Sequence, residues 1–86
     1  MDMRLLEYFL AVVEAGNISK AALKLHVTQP TLTRQLQQLE EYYGSQLFIR
    51  GSRKMTLTNS GIILKKRALE LLDLQTKTKI EIKQNE

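Results

Sequence analysis

Apolar residues fall at Leu6, Phe9, Leu10 and Val13 between Met3 and Ala15. Spacings of three and four put them on one side of an amphipathic helix. The run "AGN" at residues 15–17 ends that helix, and Gly16 stands where helices commonly close in a left-handed residue. A second, shorter helix is predicted over "KAALKLH". Ser19 is its expected N-cap, with Ile18 and Leu23 at the two positions of a hydrophobic staple. Ala21 and Ala22 are small enough for another helix to approach closely. The helix has room only to about His26, because Val27 and Thr28 open a new signal. Thr28 is the expected N-cap of a third helix, with Pro30 in a first turn where its missing N–H costs nothing. Leu32, Leu36, Leu39 and Tyr43 follow at i, i+4, i+7 and i+11, a single apolar stripe, and Gly44 suits the position just past its end.

Beyond Gly44 the period changes. "QLFIR" and "MTL" are short and β-prone, and "GSRK" between them is turn-like. A small β-hairpin is the economical reading, with Arg53 and Lys54 at its tip. Thr58 then caps a long last helix from about Asn59, which carries Leu64, Ala68, Leu71, Leu72 and Ile82. Leu64, Leu71 and Thr78 are seven apart, as are Ala68, Gln75 and Ile82, a weak heptad seam that a second copy would bury. Past Gln75 this helix is expected to fray in an isolated chain. The order is helix, helix, helix, hairpin, helix: a mainly α chain, with residues 1–58 as a body and 59–86 as a linker and dimerisation helix.

Two helices joined by a few residues, the second polar on its outer side, make a helix-turn-helix. In the second, Thr28 to Tyr43, the helical period turns Pro30, Thr31, Arg34 and Gln38 away from Leu36, with Thr33 and Gln37 flanking them. These side chains suit a DNA major groove. Arginine pairs with guanine O6 and N7, glutamine with adenine, and threonine bonds a base or touches a thymine methyl. Thr28 and Gln29 sit at the N-terminal end, where a recognition helix points most directly into the groove. A cap of this kind also starts helices that merely pack. The conjunction of a short preceding helix, an acid-free outer face and a basic hairpin tip favours DNA. A wing at 50–55 would lay Arg53 and Lys54 on phosphates or into the minor groove.

Charge sharpens this reading. The net charge is +4, and no acid lies between Glu14 and Glu40 or between Glu41 and Glu70. That segregation leaves room for a positive surface, although the same arithmetic fits ordinary solvated charge. Hydrophobic residues make up 43% and charged residues 26%, which fits a globular domain rather than a disordered chain. There is no cysteine, so disulfides and thiolate chemistry are excluded, and no apolar run approaches a membrane span. The single histidine, His26, has no spaced partners for metal or acid–base work and is expected to pack at the end of the second helix. Tyr8, Tyr42 and Tyr43 are expected in the core or an interface. No cofactor, metal or enzymatic constellation is expected, and the lack of a signal peptide suits a cytoplasmic protein.

The stretch "FLAVVEAGNISKAALKLHVTQPTLTRQLQQLEEYYGSQLFIRGSRKMTLTNSG" resembles the N-terminal DNA-binding region of LysR-type transcriptional regulators, and the resemblance runs from about Leu6 to Gly61. It implies a winged helix-turn-helix (three helices plus a small β-hairpin wing) followed by a long linker helix. By that resemblance Gln29, Pro30, Thr31, Thr33 and Arg34 make groove contacts, Ser19 and Thr28 meet phosphates, and Arg53 is the wing contact. Thr28, Thr31 and Thr33 stand where the family more often has serine, alanine and serine, which alters base preference more than chemistry. The family also implies a homodimer through the linker helix, here Leu64, Ala68, Leu71 and Leu72, with tetramers possible in full-length members. Such a dimer would read an interrupted palindrome in double-stranded DNA. The family continues into an effector-binding domain, so the sequence reads as an excised domain or a truncated regulator, with no small-molecule effector site of its own. A winged-helix module that uses the same polar face on a protein is the alternative.

Overall fold

The computed structural model describes residues 2–51 and 54–86 of the chain; Arg53 of the expected wing tip lies outside them. Among the described residues there are four helices: α1 (Met3–Ala15), α2 (Ile18–Leu25), α3 (Gln29–Tyr43) and α4 (Asn59–Gln84). The molecule extends 50 × 27 × 19 Å, long in one direction because α4 outruns the body.

Helix α1 is the hub and packs against all three other helices. Asp2 caps it: its carboxylate accepts the Arg4 N–H at 2.9 Å and pairs with the Arg4 guanidinium at 2.8 Å. These two donors, the backbone N–H foremost, hold the Asp2 carboxyl below the usual aspartate range. The buried stripe of α1 is Leu6, Phe9 and Val12, centred on Phe9, so the predicted Leu10 and Val13 fall to one side of it and are half-buried. Gly16 closes α1 at φ +80°, a region that favours glycine, and its N–H donates to the Val12 carbonyl at 2.9 Å.

Helix α2 starts two residues earlier than Ser19 would have it. Asn17 is the N-cap, with extended backbone and a side chain that accepts the Lys20 N–H at 2.8 Å. Ser19 therefore lies in the first turn, Ile18 is the first helical residue, and Leu23 is 77% exposed, so no staple forms. His26 is exposed, not packed. It closes α2 at φ 58°, ψ 41°, in the left-handed region. Val27 then donates its N–H to the Ala22 carbonyl at 3.0 Å, which sets the chain into the turn before α3. Ala21 and Ala22 are buried, as their size suggested.

Thr28 caps α3 and Pro30 occupies its first turn. Leu32, Leu36 and Leu39 are buried, while Tyr43 is 41% exposed and forms an edge-on pair with exposed Tyr42 at 5.0 Å between centroids. Tyr8 is half-buried at the edge of the core.

Among the described residues the predicted hairpin is represented by one antiparallel bridge, Phe48 with Leu57. Ile49 donates its N–H to the Thr56 carbonyl at 2.7 Å. Thr58 donates its N–H to the Leu47 carbonyl at 3.0 Å, the second bond of the same bridge, while Met55 N–H reaches the Gly16 carbonyl at 3.0 Å and Leu47 N–H a Glu40 carboxylate oxygen at 2.7 Å. A backbone amide needs a partner but not a strand partner, and the Leu47 and Met55 N–H groups find theirs outside the two arms. Leu47 and Phe48 are buried, with the Phe48 ring 5.4 Å from Phe9.

Thr58 caps α4, accepting the Gly61 N–H at 3.0 Å while its hydroxyl donates to the Gln46 carbonyl at 2.7 Å. Leu64 and Ala68 are buried in the chain's own core, at 6% and 0% exposure. Past them α4 leaves the body and stays helical to Gln84 without fraying at Gln75. An Asp73–Lys77 pair at 3.0 Å lies along this outer half. Among the described residues, no helix is long and apolar enough to cross a membrane.

Candidate nucleic-acid interface

The start of α3 is built to stand clear of the core. The leucine stripe pins one side of the helix, so the period of 3.6 residues turns the residues between the leucines outward. Gln29, Pro30, Thr33, Arg34 and Gln37 together line one shallow, open face. All five are exposed. Arg34 has no ion-pair partner among the described residues, so its guanidinium keeps its full set of donors for a ligand.

Thr28 and Thr31 are arranged differently. The Thr28 hydroxyl accepts the Thr31 N–H at 3.2 Å and donates to the Thr31 hydroxyl at 2.9 Å. Thr31 is half-buried, so its hydroxyl serves the cap before it serves any ligand. Gln38 is exposed further along α3, outside the cluster around Arg34. Ser19 is exposed in the first turn of α2, and Lys54 is exposed beside the wing bridge.

Gln37, expected to flank the outward side of α3, belongs to the exposed face with Arg34, and its position one turn after Thr33 is the signal for it. Glu40 has no such signal. Its carboxylate accepts the Leu47 N–H at 2.7 Å and pairs with Arg50. This acid is thereby neutralised beside a surface that is otherwise free of acids from Gln29 to Leu39. The face offers donors, acceptors and, in Arg34, a cation with no ion-pair partner among the described residues, a surface for reading polar edges rather than for enclosing a small molecule. Among the described residues, no cluster of His, Cys, Asp or Glu could hold a metal ion.

Known proteins share this arrangement. The family model described as bacterial regulatory helix-turn-helix protein, lysR family, matches residues 3–62. The HTH-type transcriptional regulator BsdA of Bacillus subtilis (strain 168) is 45% identical over 85 residues, 98% of this chain and 29% of BsdA. The chain spans about a quarter to a third of the length of the curated relatives it matches. The crystal structure of the BenM DBD with benA site 1 DNA superposes with a TM-score of 0.95 at 42% identity, covering 100% of both chains. The CbnR DBD–DNA complex gives a TM-score of 0.94 at 40% identity, over 99% of this chain and 98% of that one. The chain belongs to the lysR family of bacterial regulatory helix-turn-helix proteins, and it is that family's DNA-binding domain.

Proposed function

We propose that this domain reads double-stranded DNA by laying the N-terminal half of α3 in the major groove, with Gln29, Thr33, Arg34 and Gln37 at base edges. The observation that carries this reading is the exposed, acid-free face around an unpaired Arg34. Thr28 and Ser19 meet phosphates at its margins, and Pro30 and Thr31 hold the first turn in place. The wing segment 50–55, with Arg53 and Lys54, rests on the flanking backbone or in the minor groove. Two copies joined through α4 would present two recognition helices to an interrupted palindrome, since half-site spacing mirrors the symmetry of the protein. The BenM and CbnR domains that resemble this chain were crystallised with DNA, which supports the choice of ligand. The role is that of a binding module in transcription regulation, exercised in the cytoplasm, and not of an enzyme.

Selection of bound duplexes from a random pool, followed by titration of two variants, tests the reading. Arg34→Ala should cost about 1–3 kcal/mol on the selected site and relax the preference at the base pair it reads. Arg53→Ala should weaken binding to all duplexes alike and lower the salt slope by about one. A chain with no salt-dependent affinity for any duplex would reject DNA as the ligand and leave the protein-binding alternative.

A further inference from the structure

We propose that Glu40 is a positioning residue for DNA binding: its carboxylate, clamped between the Leu47 N–H and Arg50, fixes the wing arm against the recognition helix. The wing's grip on the DNA backbone then depends on Glu40. This rests on the reading above that both α3 and the wing meet DNA.

The arm after Gly44 is anchored by the buried side chains of Leu47 and Phe48 and by its bridge to Leu57, and polar contacts on either flank complete its placement. On the α4 side, Thr58 grips the Gln46 carbonyl through its hydroxyl and the Leu47 carbonyl through its N–H. On the α3 side the hold is Glu40, whose side chain is 11% exposed and has both oxygens occupied. Thr33, Gln37, Glu40 and Arg50 line one cleft between α3 and the arm, so the clamp adjoins the recognition face directly.

The chemistry requires a carboxylate. Leu47 N–H and Arg50 are both donors, and a carboxylate offers each its own acceptor oxygen. Glutamine has the same shape but one carbonyl oxygen, so its NH2 would meet one of the two donors. A carboxylate near DNA also repels phosphate, and Arg50 cancels that charge where it stands. Arg50 therefore acts within the protein, and contact with the backbone falls to the residues of the tip.

A double-mutant cycle on the 86-residue chain tests the coupling. Wild type, Glu40→Gln, the wing variant R53A/K54A, and all three changes together are titrated against a fluorescent mixed-sequence duplex over a salt series. A backbone contact is independent of sequence, so no operator is needed. Glu40→Gln should weaken binding severalfold and lower the salt slope. In its background R53A/K54A should cost almost nothing further, although it costs severalfold in the wild type. If the two losses multiply, Glu40 does not act through the wing and the inference fails while the wing contact stands. If R53A/K54A has no effect in the wild type, the wing reading fails and takes the inference with it. Should Glu40→Gln not fold, Arg50→Met enters the same cycle. It removes one arm of the clamp from an exposed site, and the absence of coupling there also overturns the proposal.

Discussion

A single hydrogen atom at Gly61 sets how closely α4 can approach the wing arm. A Cβ at this position would lie 2.1 Å from the Leu47 carbonyl oxygen and 2.8 Å from Leu57 Cδ2. The first of these is backbone held by the Thr58 N–H, so it has no easy way to yield. Alanine is the better helix former by about 1 kcal/mol, but overpacking against a fixed carbonyl costs about 1–3 kcal/mol and shifts the backbone. Gly61→Ala should therefore lose about 1 kcal/mol net, a fall of roughly 5 °C in Tm by calorimetry. An unchanged Tm would mean that α4 slides freely on the arm. At His26 glycine should act in the opposite direction. Its φ of 58° is costly for a residue with a Cβ, by about 1–2 kcal/mol, and its side chain is exposed. Glycine removes that strain but gains more freedom in the unfolded chain, so His26→Gly should stabilise by about 0.5 kcal/mol. A lower Tm would show that the imidazole contributes contacts that outweigh the strain.

Helix boundaries were legible in the sequence where their cause is local. Gly16, Thr28, Gly44 and Thr58 each end or begin a helix through atoms within a turn of themselves, and all four stand where the pattern put them. The start of α2 was misread because Asn17 and Ser19 are both competent caps two residues apart. The left-handed Gly16 leaves Asn17 extended, at φ −157°, and so gives it the cap. The extent of the hairpin was not legible for the opposite reason. "QLFIR" and "MTL" do pair antiparallel, but the Leu47 and Met55 N–H groups bond to Glu40 and Gly16, and composition carries no trace of those long-range partners. The same division runs through the site. Gln29, Thr33 and Arg34 were readable because helical period alone fixes their direction. Glu40 was not, because its partners lie seven and ten residues ahead across a turn whose path only the fold determines.

At the scale of the whole molecule, α4 poses a problem that one chain does not solve. Its 26 residues span about 39 Å, and only its first turns reach the core. Leu64 and Ala68 are used inside the chain, so of the four residues expected at a dimer seam only Leu71 and Leu72 remain outside the core. Leu71, Gln75 and Ile82 continue the same side of the helix past the body, at i+7, i+11 and i+18 from Leu64. Leu71 is 42% and Ile82 61% exposed, and Ile62, Leu69 and Ile80 add exposed apolar surface on the far side. A solitary helix gains most of its stability from packing an apolar face, which this half lacks in a single copy. A second α4 crossing it would supply that packing and bring two α3 faces to one side of a duplex. Leu71→Asp places a charge in that seam without touching the core, whereas the same change at Leu64 would unfold the domain. Sedimentation equilibrium should show the wild type at twice the chain mass and Leu71→Asp near the monomer. The variant should also lose affinity for a palindromic duplex while keeping the wild-type affinity for a single half-site. A wild type that stays monomeric at every concentration, or a variant whose mass does not fall, would remove α4 as the dimer element and require the two half-sites to be joined through another surface.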